Sequence, residues 1–194
     1  MRKILILLCC IIGYAATAQN SYFVDKKGTK TIVRDDAIEI IVIDKRVSYK
    51  QVGKTWEKYI TYKDLDYVIM GPYVFKTFRF GKSKKDEGFF IRAETAEKKL
   101  LTVAVTVTTT SSSGRMSSSI THYRAVVADN NNTILDEVKF TSSRSDDEGR
   151  AMAVPMVMKH FSDCPSVVAQ MTPHTYSPET VSQFFDSPMY INCK

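Results

Sequence analysis

LTVAVTVTT, residues Leu101 to Thr109, decides how the rest of the chain is read. Val103, Val105 and Val107 alternate with Thr102, Thr106 and Thr108, so successive side chains point to opposite faces, the two-residue period of a β-strand. Valine and threonine are also residues that a pleated backbone favours.

Working outward, the same texture recurs on both sides. Toward the N-terminus, Phe89-Phe90-Ile91 opens a strand, and Tyr73 to Phe80 carries aromatics at alternate positions. Tyr67 to Met70, the Trp56–Tyr62 stretch, Val47 to Val52, Ala37 to Ile43, Thr31 to Val33 and Ser21 to Val24 are further runs of this kind. Turn residues separate them: Asp25-Lys26-Lys27-Gly28, Asp44-Lys45, Gly53-Lys54, Lys63-Asp64-Leu65-Asp66, Gly71-Pro72 and the charged connector Gly81 to Gly88. Ala93 to Lys99 fits either a short helical turn or a hairpin tip. Toward the C-terminus, Ile120 to Ala128 and Ile134 to Phe140 flank Asp129-Asn130-Asn131-Asn132, a tip of residues that tolerate left-handed backbone. Between the strands, Thr108 to Ser119 is rich in Ser and Thr around Gly114-Arg115-Met116. It reads as a hairpin loop, or as an adaptable polar rim for a partner or a glycan. About nine or ten short strands with regular turns predict an antiparallel sandwich, barrel or rolled sheet.

After Ser142 the pattern becomes helical. Ser145-Asp146-Asp147-Glu148 has the form of a capping box, and Ala151, Val154, Met158 and Phe161 follow at helical spacing. Pro155 conflicts with a continuous helix because it lacks the N–H donor. The expectation is a kink there or a helix starting near Val154. Ser177-Pro178 predicts a second helix to Phe185, and Met189 to Cys193 an extended tail. The fold class is therefore α+β: a β-rich antiparallel sheet over residues 20–141, then short helices from about residue 145.

Ahead of this domain, Arg2 and Lys3, the apolar run Ile4 to Ile12 and Ala16-Thr17-Ala18 form the pattern of a cleaved secretory signal over residues 1–18. The apolar run is far short of the roughly 20 residues that span a bilayer. The expected mature protein is one exported domain, residues 19–194, periplasmic or extracellular, with no transmembrane span. Its cysteines agree. Cys9 and Cys10 leave with the signal, and Cys164 and Cys193 remain to pair in an oxidising compartment. The sharper alternative, a Cys164 thiolate activated by His160 four residues upstream, lacks any surrounding nucleophile signature.

Charge is uneven. Residues 19–100 hold 18 Lys and Arg against 12 Asp and Glu, whereas residues 101–194 hold 7 against 9. The lysines alternate with apolar residues and acids, as on the solvated faces of strands, which argues against a nucleic-acid partner. His122, His160 and His174 do not fall at metal-ligand spacings. No G-x-S-x-G elbow or phosphate-cradling glycine loop occurs. Asp64 and Asp66, two apart and beside tyrosines, are the least poor acid–base pair, though turns and caps explain such pairs equally well. Aromatics are the richest feature, and Trp56, Tyr59, Tyr62 and Tyr67 are the candidate binding aromatics. No cofactor is implied. The function these observations favour is a non-catalytic exported module that binds a protein partner, a glycan or an envelope component. A hydrolase of envelope polymers using Asp64 and Asp66 is the runner-up, and a β-barrel carrier of a small apolar ligand the third reading.

Overall fold

A computed structural model describes residues 21–110, 117–143 and 145–193. The expected signal over residues 1–18 and the centre of the Ser/Thr segment around Gly114 lie outside the described residues. The fold is an antiparallel sheet with helices after it, as the alternation predicts, but with eleven strands among the described residues. These are β1 (Tyr22–Asp25), β2 (Lys30–Ile41), β3 (Arg46–Gln51), β4 (Lys58–Thr61), β5 (Leu65–Met70), β6 (Tyr73–Phe78), β7 (Glu87–Glu94), β8 (Lys98–Thr110), β9 (Ser117–Asp129), β10 (Ile134–Thr141) and β11 (Ile191–Asn192). They lie in the order β10-β9-β8-β7-β6-β5-β1-β2-β3-β4, with β11 added parallel to the end of β7. The path ends at β10 and β4 without joining them, so the sheet does not close.

Two hairpin tips share one device. The Asp25 carboxylate accepts the N–H groups of Lys27 (2.9 Å) and Thr29 (2.8 Å), and Asp129 accepts those of Asn131 (2.8 Å) and Thr133 (2.7 Å). Each loop needs a left-handed residue just before its Thr, supplied by Gly28 (φ +84°) and Asn132 (φ +59°). Ala93 to Lys99 resolves as a hairpin tip, with β7 ending at Glu94 and β8 beginning at Lys98.

Thr31–Val33 and most of Ala37–Ile43, two runs in the sequence, belong to one strand, which ends at Ile41 and leaves Val42 and Ile43 in the following turn. Its register jumps between the pairs Val33–Gln51 and Ile38–Tyr49, leaving Arg34-Asp35-Asp36-Ala37 as an irregular bend. On one side of the bend β2 pairs with β1, on the other chiefly with β3. A bulge of this kind turns a sheet, and it lets the two parts enclose Phe23, Val33, Val47, Tyr49, Tyr62, Leu65, Val68 and Phe75.

Strands β8 and β9 are apolar on both faces. Leu100, Tyr123, Ala125 and Val127 pack against the helices, whereas Leu101, Val126 and Ala128 join Phe78, Phe80, Phe89 and Ile91 on the opposite face. That is why Val126-Val127-Ala128 reads as an unbroken apolar run.

The helical part departs from expectation in four ways. First, α1 runs without interruption from Asp147 to Phe161 and contains Pro155. Pro155 and Ala151, whose carbonyl loses its partner, are both exposed, so water can satisfy the freed acceptor. Second, Asp146 rather than Ser145 is the N-cap, and its carboxylate takes the Thr141 N–H (2.5 Å) while Ser145 pairs with Ser143. The buried face is Ala153, Val154, Met156, Val157 and Phe161, and Ala151 points outward. Third, α2 (Pro165–Thr175) was not anticipated; it places Val167, Met171 and His174 inward, so His174 is a helical, buried residue. Fourth, the predicted helix from Pro178 to Phe185 divides into a 3-10 turn, Pro178–Thr180, and α3 (Ser182–Asp186).

A disulfide joins Cys164, the N-cap of α2, to Cys193 after β11, so Cys164 offers no thiolate to His160. His160 instead shares Asp136 with Lys159, each at 3.0 Å. Among the described residues no helix is long and apolar enough to cross a membrane.

Candidate functional site

The four sequence-selected aromatics do not form one surface. Trp56 and Tyr59 are exposed near β4, with Lys54 Nζ 5.2 Å from the Trp56 ring and the Arg46 guanidinium 5.5 Å from Tyr59. Tyr67, on β5, is half-buried edge-on against Tyr22 at 6.2 Å. Tyr62 is a core residue, correcting its reading as a binding aromatic. Its ring lies against Phe75 at 5.4 Å, and burial pushes its phenol up. Its hydroxyl has no hydrogen-bond partner among the described residues.

Asp64 and Asp66 have local partners. Thr61 Oγ1 donates to Asp64 at 2.8 Å, and Asp66 pairs with Lys76 Nζ at 3.1 Å. The first is turn chemistry and the second a cross-strand ion pair. The basic front half gathers Lys45, Lys63, Arg79, Lys84 and Lys85 around an open depression of about 490 Å³ that also holds Asp44 and Asp86. Asp86 takes both Arg79 (3.0 Å) and Lys26 (3.1 Å), so part of this charge is neutralised within the fold.

The unusual surface lies at the stretch that decided the fold. β8 and β9 pair continuously from Lys98–Asp129 to Thr110–Ser117. Pairing of β7 with β8 ends at Phe90–Thr102, and pairing of β9 with β10 ends at His122–Thr141. A two-stranded ribbon therefore extends past its neighbours, and β8 from Val103 to Thr110 has no ladder partner on its outer side among the described residues. One ribbon face carries hydroxyl pairs, Thr106–Thr121 at 2.9 Å and Thr108–Ser119 at 2.8 Å. The other carries the exposed cross-strand pair Val107 and Ile120. Between Leu101 and Tyr123 the only formal charge in the sequence is Arg115. Natural edges are usually guarded by lysines, prolines or bulges that block strand addition. None of these guards the Val103–Thr110 edge.

Where β7 and β8 part, a mostly apolar notch of about 270 Å³ opens. Tyr73, Phe90, Ala104, Phe185 and Pro188 line it, together with Thr102. Thr102 is 2% exposed, and its hydroxyl has no partner among the described residues. An unmade buried hydrogen bond costs about 1–3 kcal/mol. Asp186, also at the notch, accepts the Tyr123 phenol (2.7 Å), and burial with this bond holds that phenol up at about 12.

No family model, curated protein or solved structure matches the chain.

Function must then be read from the ribbon and its notch. The sequence did flag this region, as a polar rim. It did not reveal the unpaired edge, because pairing depends on where β7 and β10 stop. The unguarded run from Leu101 to Gly114 was the available signal.

Proposed function

We propose that this is an exported, non-catalytic binding module that captures an extended segment of a protein partner along the outer edge of β8. The observation that carries the reading is the Val103–Thr110 edge, uncharged and without a strand partner among the described residues, running out of an apolar notch. An extended segment would continue the ladder that β7 leaves, since strand addition draws affinity from main-chain hydrogen bonds and specificity from side-chain pockets. One apolar side chain of the segment fits the notch, and one of its polar groups meets Thr102. The filled interior supports a module over a carrier: Phe23, Tyr49, Tyr62 and Phe75 pack into the rolled part of the sheet. The Cys164–Cys193 disulfide and the Met1–Ala18 pattern support export.

Site-specific photo-crosslinking in the producing cell tests this. A photoreactive residue at Val107 should yield adducts with one extended segment of another protein, and a Val105→Pro substitution should remove them. Adducts no stronger than those from a distant position such as Lys58 would contradict the reading. Adducts only with a second copy of the chain would replace partner capture with self-assembly.

A further inference from the structure

Away from the ribbon, α2, α3 and the C-terminal tail enclose an open cleft of about 530 Å³, within the range typical of small-molecule sites. At its base lies Arg92, 3% exposed. It reaches this position because the β7–β8 register slips between Ile91–Leu101 and Ala93–Leu100, leaving Arg92 as an extra residue turned toward the helices. Its Nε donates to the Phe184 carbonyl at 3.2 Å, Nη1 donates to the Met189 carbonyl, and Nη2 donates to Gln170 Oε1. All three acceptors are neutral. Arginine has five N–H donors, so one N–H on each terminal nitrogen remains without a partner among the described residues. Among the described residues no carboxylate pairs with Arg92, and no Asp or Glu lines the cleft. A buried charge without a counter-charge is expensive, and burial alone pulls the Arg92 guanidinium down to about 10.

The opposite wall is also prepared. His174, 8% exposed, sits 2.7 Å through Nδ1 from Thr180 Oγ1, whose own proton goes to the Ser177 carbonyl (2.7 Å). Thr180 must then accept, so Nδ1 carries the proton. Burial lowers the His174 pKa, which favours the neutral ring, and with the proton on Nδ1 its Nε2 is a lone-pair acceptor. No hydrogen bond to Nε2 is formed among the described residues. Ser166, Gln170, Gln183 and Ser187 complete a lining of uncharged hydrogen-bonding groups, and Tyr190 adds an aromatic surface.

We infer that this cleft binds a small hydroxylated carboxylate of the acidic-sugar class, its carboxylate on the two remaining Arg92 N–H groups and one of its hydroxyls donating to His174 Nε2. One buried cation selects a single anionic group. The amides, hydroxyls and imidazole suit a polyol, and a lining without acids among the described residues removes repulsion. The site is independent of the β8 edge and stands or falls separately.

The test is titration of the isotope-labelled full domain with glucuronate, glucose, acetate and inorganic phosphate, following the Arg92 Nε–H and His174 ring resonances. Glucuronate should shift both saturably, acetate and phosphate should bind more weakly, and glucose should shift neither. Because Arg92 also ties three chain segments together and Arg92→Ala is liable to unfold them, the working variant is Gln183→Glu, an exposed residue on the cleft wall. It should weaken glucuronate about 10-fold, the equivalent of ~1.4 kcal/mol, with the rest of the spectrum unchanged. Phosphate binding tighter than glucuronate would overturn the assigned ligand class. Failure of every anion to move Arg92 and His174 at ~10 mM, above the millimolar range of the weakest specific binding, would overturn the site.

Discussion

Thr102 stands opposite Phe90 in the last pair that joins β8 to β7, and its buried hydroxyl faces no hydrogen-bond partner among the described residues. This pair marks where the packed sheet ends and the ribbon begins. The arrangement makes Thr102 a residue whose polarity serves the notch better than it serves the fold.

Replacing Thr102 by valine should accordingly stabilise the isolated protein by about 1 kcal/mol, because it removes an unpaired buried hydroxyl at nearly constant volume. Denaturant melts should show a higher midpoint with an unchanged slope. The same variant should capture the partner segment less well. A loss of stability would mean that the hydroxyl is satisfied within the folded chain.

Gly88 is a packing requirement of the aromatic core. A Cβ built there would fall 2.6 Å from Tyr62 Cε2 and closer still to Phe75 Cζ. Gly88→Ala should cost about 1–3 kcal/mol through overpacking. The same change at Gly88 in a Phe75→Leu background should cost less, measured as coupling in a double-mutant cycle.

Acid should loosen the basic depression. Burial by itself would raise the Asp86 carboxyl, but its bonds from Arg79 and Lys26 outweigh this and hold it below the usual 3.8. A depressed folded-state value means that the stabilisation is fully present above the unfolded value and is lost as pH falls through the folded one. Asp86→Asn should thus cost about 1 kcal/mol at pH 7, the figure for a partly exposed ion pair. The difference from the parent protein should shrink below about pH 3.8. Equal destabilisation at pH 7 and pH 2 would contradict the ion-pair account.

The disulfide closes a separation of 29 residues that includes α2, α3 and the tail. Replacing Cys164 and Cys193 together by serine should lower stability by about 3–4 kcal/mol on the chain-entropy scale. Hydrogen exchange should rise first in β11, whose parallel pairing to β7 covers only Ile191 and Asn192.

Much of the sheet was legible because period-two patterning is a direct consequence of burying one face. The hairpin tips at Asp25 and Asp129 were legible because their Asx chemistry is local. The bend at Arg34 to Ala37 was hidden, since a bulge is specified by the partner strand and not by its own residues. Helix α2 was missed although Val167, Met171 and His174 lie at helical spacing and Pro165 occupies a favoured first-turn position. Two prolines, Pro165 and Pro173, masked the pattern. Tyr62 was misplaced because alternation assigns a face without saying whether that face is covered, and the roll of the sheet covers it. Arg92 carried no signal at all: one arginine among strand residues looks solvated until the register slip turns it inward.

The central claim is that the outer edge of β8 accepts a strand. Its most direct test is amide hydrogen exchange across Val103 to Thr110, with and without a synthetic peptide matching the crosslinked partner segment. The account predicts that the outward amides exchange readily in the isolated protein and become protected when the peptide is added, together with those lining the Phe90–Thr102 split. Peptide binding that protects another surface while leaving Val103 to Thr110 unchanged would contradict it.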